Sequence, residues 1–203
     1  AKTEEMRSSL LSAVSHDLRT PLAAITGAVS TLRDEAAHFA PAQQAELLAS
    51  IQDEAVRLER LVANLLDMTR VESGSLRVQR DWVPLEELVG SALSRVERVL
   101  GDRPVHVAIA PDLPLLSVDP LLFEQVLVNL LENVAKYTPP QAGVEIEGRA
   151  ESGHIVVEVR DRGPGIPRGD EQRVFEKFYR AANTTIAGAG LGLAICKGIV
   201  EAH

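Results

Sequence analysis

The chain has 203 residues, enough for two modest domains, and its 45% hydrophobic and 25% charged residues are ordinary for a globular protein. A formal net charge of −8 argues against a surface that binds nucleic acid or an anionic membrane. Aromatic residues make up only 3% of the chain, so we expect an aliphatic core of helices packed on helices or on a sheet.

Few features of the sequence bear on cellular location. No apolar run reaches the roughly 18 residues that a membrane span needs, and the N-terminus carries no signal-peptide pattern. The single cysteine, Cys196, cannot form an internal disulfide, which fits a reducing compartment. The chain begins inside a helical pattern without an N-cap. We therefore expect it to be a cytoplasmic part of a longer protein whose upstream segment is absent.

A first long helix is predicted for residues 4–34. Its apolar side chains recur every three or four positions, as on a helix that buries one face. This stripe consists of Leu11, Val14, Leu18, Leu22, Ile25, Val29 and Leu32. His16 is rotated roughly 200° from both Val14 and Leu18, which predicts an imidazole that faces solvent and can act as a nucleophile.

Three residues that follow His16 have side chains suited to phosphoryl chemistry or to bending the helix. Asp17 can hydrogen-bond one ring nitrogen and leave the other free to attack a phosphorus atom. The Thr20 hydroxyl, on the neighbouring surface, can position a water molecule. Pro21 removes a backbone N–H, so we expect a bend just after the histidine. Taken alone, these residues favour an ordinary solvated histidine on a kinked helix.

A second long helix is predicted for residues 42–72, after a break near residues 37–41. Its stripe consists of Leu48, Ile51, Ala55, Leu58, Leu61, Leu65 and Met68. Two such helices joined by a short loop form an antiparallel hairpin. Because one hairpin cannot bury two full stripes, we expect a dimeric four-helix bundle, with a coiled-coil spacer as the alternative.

The rest of the chain mixes strands and helices. Strands are predicted at residues 76–83, 105–109, 115–118, 144–150 and 154–161, the last two as an antiparallel pair. Helices are predicted at residues 84–100, 119–134 and 191–202. This order favours an α+β fold with one sheet and helices on a face.

The helix after Asp119 carries two asparagines four residues apart, Asn129 and Asn133, followed by Lys136 and Tyr137. Positions i and i+4 share a face, so both amides can point at one ligand, and neutral oxygen ligands suit a hydrated Mg²⁺. Lys136 can lie along a phosphate chain, and Tyr137 offers a ring beside a purine. An ordinary surface position is the alternative for each asparagine, but their apolar neighbours favour a site.

Two glycine-rich stretches follow. Asp161 ends a predicted strand and precedes Gly163 and Gly165, where a carboxylate can accept a hydrogen bond from an exocyclic amine while the chain turns closely around a base. The second stretch opens the last helix, and a glycine-rich helix N-terminus offers backbone N–H groups to phosphates. Its glycines are Gly188, Gly190 and Gly192. Taken alone, each stretch is a weak signal that a simple turn explains.

Residues 15–22, Ser-His-Asp-Leu-Arg-Thr-Pro-Leu, resemble the H-box of sensor histidine kinases. The three later stretches resemble, in order, the N-box, G1-box and G2-box of that family's ATP domain, the Bergerat fold shared with Hsp90, gyrase and MutL, and residues 175–180 resemble its F-box. The likeness spans residues 15–203. It implies a long antiparallel helical hairpin that forms a dimeric four-helix bundle at residues 1–74. A Bergerat-type α/β sandwich that binds ATP would follow at residues 75–203.

The resemblance also implies a role for each matched residue. His16 would be the autophosphorylation site, with Asp17 as an assisting base and Thr20 serving the phosphatase reaction. Asn129 and Asn133 would hold Mg²⁺ and phosphate. The other pocket residues would be Lys136 and Arg180 at the phosphates, Tyr137 against the adenine, Asp161 reading its amino group, and Gly163, Gly165, Gly188, Gly190 and Gly192 shaping the walls.

The partners follow from the same resemblance. Such a kinase takes ATP and Mg²⁺, passes the phosphate to an aspartate of a response regulator, and forms the cytoplasmic portion of a membrane-anchored bacterial sensor. Residues 81–93 and 188–203 resemble the KdpD-like subfamily, which responds to potassium limitation and osmotic conditions. The alternatives are an ATPase of the Hsp90 or MutL type, which would not need the H-box, and a dimeric scaffold with a degenerate nucleotide domain, against which Asn133, Asp161 and the glycines argue.

Two segments depart from the family pattern. The ATP domain of the family continues into a glycine-rich turn and further strands, so we expect residues 75–203 to be C-terminally incomplete. Residues 181–187 correspond to the lid over ATP, and because they are few and rich in alanine and threonine we expect this lid to be mobile. Both departures concern the ATP domain rather than the hairpin.

Overall fold

A computed structural model describes the backbone of residues 2–35, 39–72, 74, 76–180 and 190–203. It describes the side chains of the same residues, apart from those of residues 2–14, 16, 17, 35 and 72. The chain divides into two compact units, the first ending at Thr69 and the second beginning at Arg70. The lid expected at residues 181–187, and Gly188, lie outside the described residues.

The first unit is built from two long helices. α1 spans Lys2–Glu35 and α2 spans Pro41–Glu72, so both predicted helices are confirmed to within two residues at each end. α1 continues through Pro21, whose side chain is buried, and the bend expected there stays a prediction. α2 begins where the Ala40 N–H donates to Gln43 Oε1 at 2.9 Å, as in one half of a capping box.

The apolar stripes of these two helices keep much of their surface exposed. On α2, Leu48 is 58% exposed and Ala55 is also exposed. On α1, Leu22 and Val29 are also exposed. The hairpin thus presents apolar surface that a second pair of helices would cover.

The second unit contains five strands and three helices among the residues that the structure describes. The strands are β1 (Asp81–Val83), β2 (Val105–Ile109), β3 (Leu116–Val118), β4 (Val144–Glu151) and β5 (His154–Arg160). The helices are α3 (Leu85–Leu100), α4 (Pro120–Tyr137) and α5 (Gly192–Ala202), and a short 3₁₀ turn spans Arg173–Phe175. The α+β class expected from the sequence is confirmed.

The strands form two sheets, so the expectation of a single sheet is wrong. β1 pairs antiparallel with β3, and Val83 lies opposite Leu116. β4 is the centre of the other sheet, parallel to β2 and antiparallel to β5. An alternating pattern indicates a strand but does not identify its partner, which is why the sequence did not separate the two sheets.

The strand predicted at residues 76–83 is confirmed only for its last three residues. Residues 76–80 have no regular structure, and the Gln79 N–H donates to Asp119 Oδ2 at 2.9 Å. Because this backbone donor is satisfied by a distant carboxylate rather than by a neighbouring strand, the alternation of apolar and polar residues does not produce a ladder here.

The antiparallel pairing of β4 and β5 is confirmed, with Glu151 opposite His154. The two strands are joined by Ser152 and Gly153, both at positive φ, 51° and 80°. Positive φ at both central residues is typical of the two-residue hairpin turn whose twist matches that of the strands. The turn therefore sets the register of this hairpin.

The hydrophobic core of the second unit lies where α3 and α4 pack on the sheets. Leu85, Leu131 and Ile146 are almost completely buried, and each buried side chain of this size contributes about 1.5–3 kcal/mol relative to exposure. At Gly148 of β4, a Cβ atom would lie 2.4 Å from Leu85 Cδ2. The absence of a side chain there lets α3 approach β4 closely, which positions the helices on which the cavity described below depends.

Candidate functional site

A cavity of about 360 Å³ opens in the second unit between α4, the end of β5, the loop that follows it and the start of α5. Three stretches of the sequence, residues 130–137, 159–180 and 190–193, therefore supply its walls. The lining residues are Leu130, Asn133, Val134, Tyr137, Val159, Asp161, Pro164, Gly165, Ile166, Pro167, Val174, Tyr179, Arg180, Gly190, Gly192 and Leu193.

One wall of the cavity is a single face of α4. Its residues follow the spacing i, i+3, i+4 and i+7, from Leu130 to Tyr137. The helix is anchored at its start by Asp119, whose Oδ1 accepts hydrogen bonds from the N–H groups of Leu121 at 3.1 Å and Leu122 at 3.2 Å. This N-cap holds the helix that presents Asn133 to the cavity.

Asn129, one turn earlier on α4, lies differently from Asn133. Its side chain is 8% exposed and is not among the lining residues, and its Nδ2 has no hydrogen-bond partner within the described part of the chain. The nearby thiol of Cys196 on α5 is also buried, and burial raises its pKa to about 11. The structure thus brings Asn133 to the cavity and leaves Asn129 beneath its wall.

The end of β5 places a carboxylate at the cavity. Asp161 lines it, and Asp161 Oδ1 accepts a hydrogen bond from the Gly163 N–H at 2.7 Å. A Cβ atom at position 163 would lie 2.8 Å from that same Oδ1 and 2.8 Å from Thr138 Cγ2, so only glycine fits. Gly165 lines the cavity at a φ of +73°, which favours glycine.

The opposite wall combines the segment before residue 181 with the start of α5. The Phe178 N–H donates to Gly190 O at 2.8 Å, and a Cβ atom at position 190 would lie 2.7 Å from Tyr179 O. Gly190 therefore permits a close backbone contact that any side chain would prevent. Gly192 and Arg180 also line the cavity, whereas Lys136 is exposed and is not a lining residue.

Sequence reasoning missed the apolar lining and the tyrosine of the opposite wall. Val159 and Ile166 belong to this lining, and the alternation of β5 would have placed Val159 on the same face as Asp161. Tyr179 lies 4.7 Å beneath the Arg173 guanidinium, measured to the ring centroid. A hydrogen bond to Asp170 raises the pKa of its hydroxyl. Tyr179 lies within residues 175–180, which resemble the F-box, but sequence reasoning assigned it no role, because its partners are set by the loop.

The arrangement matches the chemistry of a nucleotide. Apolar walls can hold a flat base, and the Asp161 carboxylate is an acceptor for an exocyclic amine at one end. The Arg180 guanidinium is a cation suited to phosphate oxygens. The described residues contain no group of three or more His, Cys, Asp or Glu side chains that could hold a metal ion. Within the same residues, no helix has the length and apolar character to cross a bilayer.

The predicted phospho-acceptor region lies in the first unit. Residues 15–22 are helical, Ser15 and Thr20 are exposed, Leu18 is half-buried and Pro21 is buried. The side chains of His16 and Asp17 lie outside the described ones, so the exposure of the imidazole stays a prediction.

Both units match known families. Residues 6–74 match the His Kinase A (phospho-acceptor) domain, and residues 118–203 match the histidine kinase-, DNA gyrase B- and HSP90-like ATPase family. Sensor protein KdpD of Escherichia coli (strain K12) is 43% identical over 205 residues, an alignment that covers 100% of this chain and 23% of KdpD. The chain thus spans about a quarter of the length of that relative.

Two solved structures resemble the chain along most of its length. The Acinetobacter baumannii histidine kinase AdeS matches with a TM-score of 0.70 and 26% identity over 92% of this chain and 86% of AdeS. Full-length ShkA in complex with AMPPNP matches with a TM-score of 0.67 and 25% identity over 95% of this chain and 40% of ShkA. With two family domains in this order and relatives that cover all of it, the chain belongs to the sensor histidine kinases.

Proposed function

We propose that the cavity of the second unit binds ATP with Mg²⁺ and that the γ-phosphoryl group is transferred to His16. The observation that carries this proposal is the meeting of Asn133, Asp161, Arg180 and three glycines in one cavity, although they come from separate stretches of the sequence. The complex of ShkA with AMPPNP supports an adenine nucleotide as the occupant of the corresponding domain.

The base end of the site is assigned to Asp161 and Tyr137. The Asp161 carboxylate accepts a hydrogen bond from the adenine amino group, while the Tyr137 ring flanks the purine. Gly163 and Gly165 let the backbone turn close to the base, as the short contacts at position 163 support. Adenine is thereby distinguished from purines that carry no amino group at this position.

The phosphate end is assigned to Asn133, Arg180 and the glycines that open α5. Arg180 and Lys136 neutralise phosphate charge, and backbone N–H groups at Gly188, Gly190 and Gly192 bind phosphate oxygens. These contacts orient the γ-phosphate and stabilise charge in the transition state, which is most of what phosphoryl transfer requires of a protein.

The residues present fit a magnesium ion bound mainly through the nucleotide. Mg²⁺ keeps several waters and takes one or two protein oxygens plus substrate phosphates, so it does not need a carboxylate cluster. Asn133 lines the cavity, and its amide oxygen is a neutral ligand of the kind that Mg²⁺ takes. We assign Asn133 to this ion, which when bound neutralises charge on the transferring phosphate. The assignment of Asn129 to the ion rests on the family resemblance alone, because Asn129 is not among the lining residues.

His16 is assigned as the nucleophile. One ring nitrogen attacks the γ-phosphorus, the bond from phosphorus to the β,γ-bridging oxygen breaks, and ADP leaves. Asp17 accepts a hydrogen bond from the N–H of the other ring nitrogen and so stabilises the positive imidazole that forms; as the assisting base it then takes that proton, which leaves the phosphorylated imidazole neutral. In the phosphatase reaction, Thr20 positions the water molecule that hydrolyses the phosphate.

The family also implies dimerisation and a response regulator as partner. We assign residues 1–74 to a hairpin that dimerises as a four-helix bundle and residues 75–203 to the ATP-binding domain. The phosphate then passes to an aspartate of the response regulator. By its similarity to KdpD, we place the chain in the cytoplasmic portion of a membrane-anchored sensor of potassium or osmotic conditions.

Autophosphorylation is tested by incubating the protein with ATP labelled in the γ-phosphate. The label should be lost in acid and retained in base, because a phosphorus–nitrogen bond is acid-labile. His16→Gln should abolish labelling and leave ATP affinity unchanged. His154→Gln is the matched control, because His154 is the first residue of β5, next to the turn. This variant should become labelled like the unsubstituted protein.

Labelling that persists in His16→Gln would contradict the assignment of the nucleophile. Release of phosphate from ATP without any labelled protein would instead favour an ATPase of the Hsp90 or MutL type. Failure to bind ATP at all would favour a scaffold with a degenerate nucleotide domain.

A further inference from the structure

A buried guanidinium lies behind the base end of the cavity. Arg103, in the turn between α3 and β2, is 7% exposed. Its Nη1 donates to Pro139 O at 2.8 Å, to Ala142 O at 2.8 Å and to the Thr138 hydroxyl, and its Nη2 donates to Thr138 O at 3.3 Å. The acceptors are therefore three backbone carbonyls and one hydroxyl, all in the loop that follows α4.

This set of partners is unusual for a buried cation. Buried arginines are generally balanced by carboxylates, since removing a charge from water is costly. Here the charge lies at the C-terminal end of α4, where unsatisfied carbonyls make the helix dipole negative. The fork of N–H groups thus holds the loop at residues 138–142 in one position against the end of the helix.

The loop that Arg103 holds touches the segment assigned to base recognition. The Thr138 hydroxyl donates to Val134 O at 2.7 Å, which directs its methyl group elsewhere. That methyl carbon lies 2.8 Å from the place where a Cβ atom of residue 163 would stand, and Tyr137 O lies 3.3 Å from it. Gly163 therefore packs directly on the loop, and its N–H holds Asp161 Oδ1 at 2.7 Å.

We propose that Arg103 is a positioning residue for base recognition: through Thr138 it places Gly163, and through Gly163 it places the carboxylate of Asp161. The proposal rests on the proposed function, in which Asp161 reads the purine amino group. It goes beyond that function because Arg103 lies outside the cavity and belongs to none of the motifs of the ATP domain.

The position of Arg103 predicts that its substitution alters recognition of the base and leaves binding of the phosphates unchanged. Its hydrogen-bond acceptors lie in the loop that follows α4, whereas Arg180, Gly190 and Gly192 belong to the other wall of the cavity. A change at Arg103 or Thr138 should therefore alter how well the protein distinguishes purines, and leave the contribution of the phosphates in place.

The experiment compares the affinity for ATP with that for purine riboside triphosphate, which is identical except that it lacks the amino group. A hydrogen bond to a charged group of typical strength predicts that the unsubstituted protein prefers ATP by about tenfold or more. Thr138→Val removes the hydroxyl and keeps the shape, and should reduce this preference to about twofold. Thr138→Ser keeps the hydroxyl but removes the methyl carbon that packs on Gly163, and should lower the preference to an intermediate value.

Arg103→Met should reduce the preference in the same way, together with a lower melting temperature because three carbonyls lose their donor. If this variant does not fold, the two Thr138 variants decide the question. A preference that survives in Thr138→Val, or equal weakening of both nucleotides in that variant, would overturn the proposal. If the unsubstituted protein itself binds both nucleotides equally, the role of Asp161 in the proposed function fails first, and the role of Arg103 fails with it.

Discussion

The two units of this chain differ in how far they bury their apolar side chains. The second unit closes a core around Leu131 and Ile195, both with no exposed surface. The first unit leaves Leu22 and Leu48, each a member of a helical stripe, more than half exposed. A sheet covered by helices can bury its apolar faces within one subunit, whereas a two-helix hairpin has too few neighbours to do so. The comparison teaches that the second unit buries its own apolar faces, whereas the hairpin presents apolar surface that a second subunit would cover.

The largest expected effect tests the closed core of the second unit. Leu131→Ala should lower the free energy of unfolding by about 2–5 kcal/mol, because it deletes buried methyl groups and leaves a cavity. Leu121, 75% exposed on the same helix, is the matched control, and its replacement by alanine should cost no more than about 0.5 kcal/mol. Urea unfolding followed by circular dichroism measures both. Similar losses in the two variants would break the comparison.

The second prediction concerns the cavity of the second unit. Gly190→Ala places a Cβ atom within 2.8 Å of the backbone of Phe178 and Tyr179, at a φ of +65°. The wall must move, so we expect ATP affinity to fall by about tenfold or more, equivalent to 1.4 kcal/mol or above.

The control for this substitution is Gly153→Ala. Gly153 also has a positive φ, +80°, but nothing within 4 Å of its missing Cβ, and it lies in the β4–β5 turn. Its replacement should cost stability through backbone strain and leave ATP affinity unchanged, as calorimetric titration would show. Loss of affinity in both variants would mean that general strain, and not the close contact at the cavity, is responsible.

The third prediction addresses the open surface of the hairpin. Leu48→Lys should weaken dimerisation by about tenfold, since covering a leucine of this kind contributes about 1.5 kcal/mol or more. Ser50→Lys, at an exposed position about 200° around α2 from Leu48, is the control and should leave the dimer intact. Sedimentation velocity over a concentration series gives both dissociation constants. An unaffected dimer in Leu48→Lys would show that this part of the stripe is not the surface that a partner covers.

The smallest effect at neutral pH is expected at Cys196. Burial raises the pKa of this thiol from 9.0 to about 11, so the neutral form is favoured in the folded state. The neutral thiol contributes fully to the stability of the folded state below pH 9. This contribution is lost as the pH rises through 11, because the thiol of the unfolded chain ionises more readily than that of the folded chain.

Two measurements test this assignment. The thiol should react with a disulfide reagent only slowly at pH 8 in the folded protein and rapidly after unfolding. Between pH 8 and pH 10 the unsubstituted protein should lose more stability than Cys196→Ala. Rapid modification of the folded protein would show that the contact between α4 and α5 opens easily.

Local periodicity was sufficient for much of the fold. The bounds of the long helices, β2 and the β4–β5 hairpin were predicted within about two residues, because each of these elements buries one face and so leaves a regular pattern. The residues of the cavity were found equally well where they belong to short motifs, as with Asn133, Asp161 and Gly190. The predictions failed where a distant partner decides the structure. Gln79 is bound by Asp119, and β3 pairs with β1, and neither choice is visible in a local window.

The sequence by itself therefore determined the order of the elements and the motifs whose residues line the cavity. Only the tertiary structure decided that Asn133 faces the cavity while Asn129 lies beneath its wall, although both occupy one helix face. It also decided that Arg103, which no motif marks, holds the loop behind Asp161. The physical reason is that periodicity records whether a side chain is buried, whereas the identity of its partner depends on contacts between residues that are far apart in the chain.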